Sequence, residues 1–333
     1  MTTKADIEQQ IYKLHTQGKS NRVIALELLG RKSAESTVRH VIKRVKHQQG
    51  LDNLFCAAEE YKESKKHKLV GPKVLVADIE ASPILGYVWS LWKQNVGLNQ
   101  IKEEWHLLSF AAKWLGDPEE DIIYMDQRDI YPLEDDTKQL AKLWQLLDEA
   151  DWLITQNGKA FDIKKIRARM VMAGFPPFSP VKHIDTLEIA KKVFGFTSNK
   201  LEWMTDKLCT KYKKNKHQKF SGFELWSECL KRNQEAFMEM ELYNRLDILS
   251  LEELYYIVSP WSDRLPNPNL YTSELNIKCI CGSENIQEHG FATTEVSKFQ
   301  QYQCKDCGKI YRGRKNLLTK EKRETILTNS REN

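Results

Sequence analysis

Val74-Leu75-Val76-Ala77-Asp78-Ile79-Glu80 is a short apolar run that ends in two carboxylates, and its reading decides the fold. Four successive apolar residues read as a buried strand. Residues two apart on a strand share a face, so Asp78 and Glu80 project together. Downstream, Asn157-Gly158-Lys159-Ala160-Phe161-Asp162 adds a third acid, and Tyr243-Asn244-Arg245-Leu246-Asp247 adds a fourth. Tyr243 and Asp247 stand four apart in a helix-like stretch and also share a face. Four carboxylates and a phenol can hold two divalent cations beside a phosphodiester, whereas one carboxylate cannot neutralise two closely spaced cations.

D-x-E, N-x3-F-D and Y-x3-D in this order resemble the three exonuclease motifs of the DEDD superfamily, in the tyrosine variant that includes the proofreading domains of family-B DNA polymerases. The resemblance covers residues 72–262, and the whole chain looks most like phage-encoded exonuclease-like proteins that carry a zinc ribbon. Each motif alone is weak; order and spacing carry the likeness. The resemblance implies that Asp78, Glu80, Asp162 and Asp247 bind two Mg²⁺ or Mn²⁺ ions about 4 Å apart. It implies that Tyr243 orients the attacking water as a neutral phenol, and that Asn157 and Phe161 place the terminal nucleotide.

The surrounding pattern predicts strands at Val74–Ile79, Gly86–Trp92, His106–Trp114, Ile122–Asp126 and Trp152–Gln156, with a helix at Asp136–Glu149. Helices are expected at Asp162–Ala173, Thr186–Phe194, Lys200–Cys209 and from Asn233 to Val258. Strands, then alternation, then helices fit an α/β RNase H-like sheet. Trp89, Trp92, Trp105 and Trp114 could stack on bases, but aromatics on strands are more often core. Asp185 with Glu188 reads as a capping box rather than a further metal ligand. The basic run Lys211–Lys219 either tracks a phosphate backbone or is a solvated loop.

Residues 1–48 read as three helices. Ile7, Ile11 and Leu14 precede Gly18; Ser20 is placed to cap a helix carrying Ile24, Ala25 and Leu28 that ends at Gly30. Val38, Val41, Ile42 and Val45 form the stripe of a third helix whose other face offers Arg39, Lys43 and Arg44. Residues 1–50 hold ten Lys/Arg against four Asp/Glu in a chain of net charge +5. That asymmetry, with the glycine turn, resembles a helix-turn-helix module that docks duplex DNA through those three cations. A helical cap with a solvated basic face is the other reading. Residues 49–71 are polar and read as a linker.

After a connector at 263–273, four of the seven cysteines crowd together as Cys279-x-Cys281 and Cys304-x2-Cys307, separated by twenty-two residues. Two thiolate knuckles around a short hairpin resemble a zinc ribbon over 274–316, in which one tetrahedral Zn²⁺ replaces a hydrophobic core. The first knuckle is one residue short, which makes His289 a candidate substitute ligand. Cys56, Cys209 and Cys229 read as packing or surface thiols. The polar, basic tail after Arg312, of which 317–333 lies beyond the ribbon, is expected to be disordered. No apolar run approaches the roughly 20 residues of a membrane span and no signal sequence is visible, so a cytoplasmic protein is expected.

The expectation is therefore a 3′–5′ exonuclease that takes single-stranded DNA ends at its acidic site and duplex at its helix-turn-helix. RNA stays open because no motif reads the sugar. The alternatives are a transposase or recombination-type protein and a catalytically silent DNA-binding protein with an RNase H-like fold. Tyr243 and the fourth carboxylate are not required by a transposase triad.

Overall fold

The computed structural model describes residues 4–46, 71–213 and 219–328. The chain divides into two compact units, Met1–His67 and Lys68–Asn333. The expected linker lies almost wholly outside the described residues, as do Cys56 and the centre of the 211–219 basic run.

In the first unit, α1 (Lys4–Thr16), α2 (Asn21–Leu29) and α3 (35–46) form as the spacing predicts. Ile11, Ile24, Ala25, Val38, Val41 and Ile42 are buried together, with Ile7, Leu14 and Val45 packed around them. Gly30 adopts φ +69°, a left-handed conformation that closes α2 without a Cβ penalty. Ser20 has cap-like backbone angles, but its hydroxyl makes no capping bond; its carbonyl accepts from Val23 and Ile24 instead.

The second unit is built on a five-stranded sheet of order β5-β4-β1-β6-β7. Its strands are β1 (Val74–Ala81), β4 (Leu107–Trp114), β5 (Ile123–Asp126), β6 (Trp152–Thr155) and β7 (Lys182–Asp185). β4 is antiparallel to both β1 and β5, whereas β6 runs parallel to β1 and β7 parallel to β6. The helices are α4 (Thr137–Glu149), α5 (Asp162–Met172), α6 (Thr186–Val193), α7 (Leu201–Leu208), α8 (Glu224–Leu230) and α9 (Gln234–Val258). Ile248, Leu251, Leu254 and Val258 of α9 share one core with Val74, Val76, Trp152 and Ile154. Alternation then places Asp78 and Glu80 on the sheet face that α9 covers. None of the described helices is long and apolar enough to cross a membrane.

Helix α9 is also locked to the sheet by a buried ion pair. Lys113 Nζ on β4 lies 2.6 Å from Glu252 and donates to the Asp117 carbonyl, and Glu252 accepts the Gly116 N–H at 2.8 Å. Removing one partner strands the other charge away from water, which typically costs about 3–5 kcal/mol. Glu252→Ala is therefore expected to lower unfolding free energy by about 3 kcal/mol, read as an earlier urea midpoint.

Two expectations are corrected. The strand at Gly86–Trp92 does not form. Only Leu85–Gly86 (β2) pairs, with Ile101–Glu103 (β3), and residues 87–97 run irregularly. Side-chain bonds compete with a ladder there: Gln94 Nε2 donates to Ser90 Oγ and to the Trp92 carbonyl, and Lys93 takes φ +52°. Trp89 and Trp92 are consequently 95% and 82% exposed rather than core. Second, the tail is ordered through much of its length. A hairpin strand extends to Asn316, and a short helix, α10 (Lys320–Glu324), is capped by the Thr319 hydroxyl accepting from Lys322 N–H. β7 and α8 have no counterpart among the expected elements.

The remaining sheet is three-stranded, β10-β9-β8, made of β8 (Ile286–Thr293), β9 (Lys298–Cys304) and β10 (Ile310–Asn316). It packs beside the end of α9: Lys309 Nζ donates to the carbonyls of Pro260, at 3.2 Å, and Ser262.

Candidate active site

One oxygen each from Asp78, Glu80 and Asp247 lie within 4.8 Å of one another. β1 brings the first two, and the middle of α9, pressed onto β1, brings the third. A second side chain of α9 fixes the arrangement. Asn244, fully buried one turn before Asp247, donates from Nδ2 to Asp78 Oδ2 at 2.8 Å, and its Oδ1 accepts the Ser109 hydroxyl at 3.2 Å. Ser109 stands opposite Glu80 on β4. The relay Ser109–Asn244–Asp78 thus aims one carboxylate from two neighbouring elements. Asn244 has a sequence signal: it lies three residues before Asp247 on the same helical face, a polar side chain on a side that is otherwise apolar.

Asp162 does not join that group. It opens α5, is buried, and accepts the Ile79 backbone N–H at 3.3 Å, from the residue between Asp78 and Glu80. Burial pushes its carboxyl up to about 6, and the nearby Asp185 charge adds to the rise against two backbone donors. Three of the four expected carboxylates therefore converge, and the fourth is tethered to the strand that carries two of them.

The loop from β6 into α5 is tightly specified. Asn157 takes φ +64°, a left-handed conformation that asparagine tolerates better than most residues. A Cβ on Gly158 would lie 2.2 Å from Thr155 Oγ1, so only glycine fits. Asp185, at the end of β7, holds the loop from below. It accepts Asn157 N–H at 2.8 Å, Lys159 N–H at 3.1 Å and Leu187 N–H at 3.0 Å. It therefore caps α6 as expected, but Glu188 pairs with Lys159 instead of closing a capping box. Gly158→Ala should displace the loop and lower stability by about 2 kcal/mol, an overpacking effect visible as a lower melting temperature.

Tyr243 lies one turn before Asp247 with its ring edge-on to Trp226 of α8, centroids 6.4 Å apart. Phe161 is 44% exposed beside Asp162. Neither ring is in the core: Tyr243 is half-buried and Phe161 exposed. In the first unit, Arg39 pairs with Glu35 at 3.1 Å and Arg44 with Glu8, while Lys43 is exposed. Exposed ion pairs of this kind are weak and exchange readily for other anions.

The four clustered cysteines also meet. One sulfur from each of Cys279, Cys281, Cys304 and Cys307 lies within 4.8 Å of the others, with 3.3 Å between Cys279 and Cys307 and 3.7 Å between Cys281 and Cys304. Tetrahedral S4 coordination at about 2.3 Å per bond puts sulfurs ~3.8 Å apart, so the donor set fits zinc. The short first knuckle turns through Gly282, φ +85°, whose N–H donates to the Cys279 carbonyl at 2.9 Å. Tyr311 hydroxyl lies 3.0 Å from Cys279 Sγ. His289 is exposed on β8 and is not part of the cluster, so it is no substitute ligand.

Residues 119–259 match a family model of the RNase_H superfamily. The matched segment contains Asp162, Tyr243 and Asp247 and stops short of β1. With the parallel half of the sheet, it fits an RNase H-like domain. The family B DNA polymerase from the hyperthermophilic archaeon Pyrobaculum calidifontis is similar over 57% of this chain, at 15% identity and a TM-score of 0.39. The alignment spans 25% of that polymerase. No curated protein matches the chain.

Proposed function

We propose that this protein is a metal-dependent 3′–5′ exonuclease that hydrolyses phosphodiester bonds of DNA. The observation that carries the reading is the convergence of Asp78, Glu80 and Asp247 within 4.8 Å, at the meeting of β1 and α9. These three, with Asp162 on the adjoining helix, would hold two divalent cations through hard carboxylate oxygens suited to Mg²⁺ or Mn²⁺. Such cations, when bound, neutralise the phosphodiester and acidify an attacking water. Asn244 aims Asp78 by donating to it. Tyr243 orients the water by hydrogen bonding through its phenol hydroxyl. Phe161 and Asn157 border the acids and place the terminal nucleotide.

The accessory parts extend the reading. The three-helix unit serves as a helix-turn-helix for duplex DNA, with Lys43 free to contact phosphate and Arg39 and Arg44 exchanging their carboxylates for it. The cysteine cluster holds one structural Zn²⁺. The nuclease domain spans residues 72–262.

A closed single-stranded DNA circle and a 3′-labelled linear strand of the same sequence test the reading. The linear strand should release labelled mononucleotides from the outset, and the circle should survive. Rapid cutting of the circle would move the assignment to an endonuclease or a transposase-type enzyme.

A further inference from the structure

We propose that Trp105, Lys165 and Phe161 form a subsite for an unpaired nucleotide of a DNA strand, the ammonium taking a backbone phosphate and the two rings a base. The proposal deepens the exonuclease reading and rests on it for the orientation of the strand.

Lys165 lies on α5, three residues after Asp162, so it projects from the same side of that helix. Its Nζ stands 3.7 Å from the centroid of the Trp105 ring and 5.1 Å from that of Phe161. Among the described residues no carboxylate lies within ion-pair distance of this ammonium, whereas Lys159, on the loop before it, is matched by Glu188. A half-buried cation between two aromatic rings, with no carboxylate at ion-pair distance among the described residues and on the helix that Asp162 opens, is set up for a phosphate from outside.

The platform is held rigidly from behind. Arg169, one turn beyond Lys165, forks onto Asp136 with two bonds of 2.8 Å and donates to the Trp105 carbonyl at 3.3 Å. Asp136 also accepts Leu107 N–H at 3.0 Å. Between them, His106 N–H donates to Ser82 Oγ at 2.8 Å, two residues past Glu80. The chain at Trp105 is therefore pinned to α5, to α4 and to the end of the acid-bearing strand. Ring faces at such a site stack on a base whose own face is free, which a base inside a duplex does not offer. A lysine supplies a point charge that follows phosphate without reading sequence.

The test is binding of the full-length protein to a fluorescent single-stranded oligonucleotide and to a blunt duplex, by anisotropy with Ca²⁺ in place of Mg²⁺. Trp105→Leu and Lys165→Gln should each weaken single-strand binding about tenfold, and Trp105→Phe should recover most of the loss. Lys165→Gln should also flatten the slope of log affinity against log salt by about 0.7, one phosphate contact on a single strand. In turnover assays the loss should fall mainly on KM. Unchanged single-strand affinity and salt slope in Trp105→Leu and Lys165→Gln, with melting curves like wild type, would overturn the subsite. So would an equal loss on blunt duplex. If the wild-type protein degrades no DNA, the exonuclease reading fails, yet the affinity series still decides the subsite.

Discussion

Asp78→Ala is expected to abolish the proposed DNA degradation, by about 10³-fold or more, while leaving the fold and any affinity for DNA in place. The expectation follows from the crowding of Asp78, Glu80 and Asp247 within 4.8 Å of one another. Three carboxylates so close repel unless cations sit among them, and the stabilisation that bound cations give a transition state is worth several kcal/mol, each 1.4 kcal/mol being about tenfold in rate. Removing Asp78 deletes one ligand and leaves Asn244 Nδ2 without its carboxylate acceptor. The stability change should stay near 1 kcal/mol, because relief of like-charge repulsion offsets the lost hydrogen bond. Asp247→Ala should behave alike. Asn244→Ala should fall between wild type and Asp78→Ala, since it releases the carboxylate without deleting it. Rate measurements beside thermal melting separate these cases. An Asp78→Ala protein that cleaves at the wild-type rate contradicts the assignment.

The second large effect concerns the cysteine cluster. Wild-type protein should carry about one zinc per chain, and Cys304→Ser with Cys307→Ser should carry none. Between residues 279 and 316 the buried residues are Cys279 and Cys304, so strands β8 to β10 form no apolar core of their own. Metal binding, worth about 10–16 kcal/mol in small zinc domains, would take the place of a core. Losing it should open the ribbon and release Lys309 from the carbonyls of Pro260 and Ser262. The acidic group belongs to β1 and α9 and should persist, so degradation should fall much less than in Asp78→Ala. Elemental analysis reads the metal, and proteolysis near residues 279–316 reads the opening. Full zinc content in the double variant contradicts the ligand assignment.

What could be read from the sequence was local. Val74–Ile79 forms a strand because its apolar run is buried on both sides, and alternation alone sends Asp78 and Glu80 to one face. The stripe of α3 and the spacing of Tyr243 and Asp247 are legible for the same reason. The rest depended on pairs far apart in the chain. Asn244 reaches Asp78 across 166 positions, and no local pattern announces that bond. Asp185 was legible as a helix cap, but its grip on Asn157 and Lys159 appears only when β6 and β7 lie side by side. Residues 86–92 misled because aromatic and branched side chains resemble a strand, whereas a strand also needs a partner edge. Trp105 and Lys165 meet because Arg169 and Asp136 hold α5 against the start of β4, a contact with no signature in either segment.

Asp78, Glu80, Asp162 and Asp247 are proposed to make a metal-dependent exonuclease site, and the products of a single labelled strand test it. A 5′-labelled single-stranded DNA oligonucleotide is incubated with the full-length protein in Mg²⁺, in Mn²⁺ and in EDTA, and the products are sized over time. The expected result is a ladder shortening stepwise from the 3′ end with either metal and an intact oligonucleotide in EDTA. An oligonucleotide that stays intact in both metals, or is degraded equally in EDTA, contradicts the account.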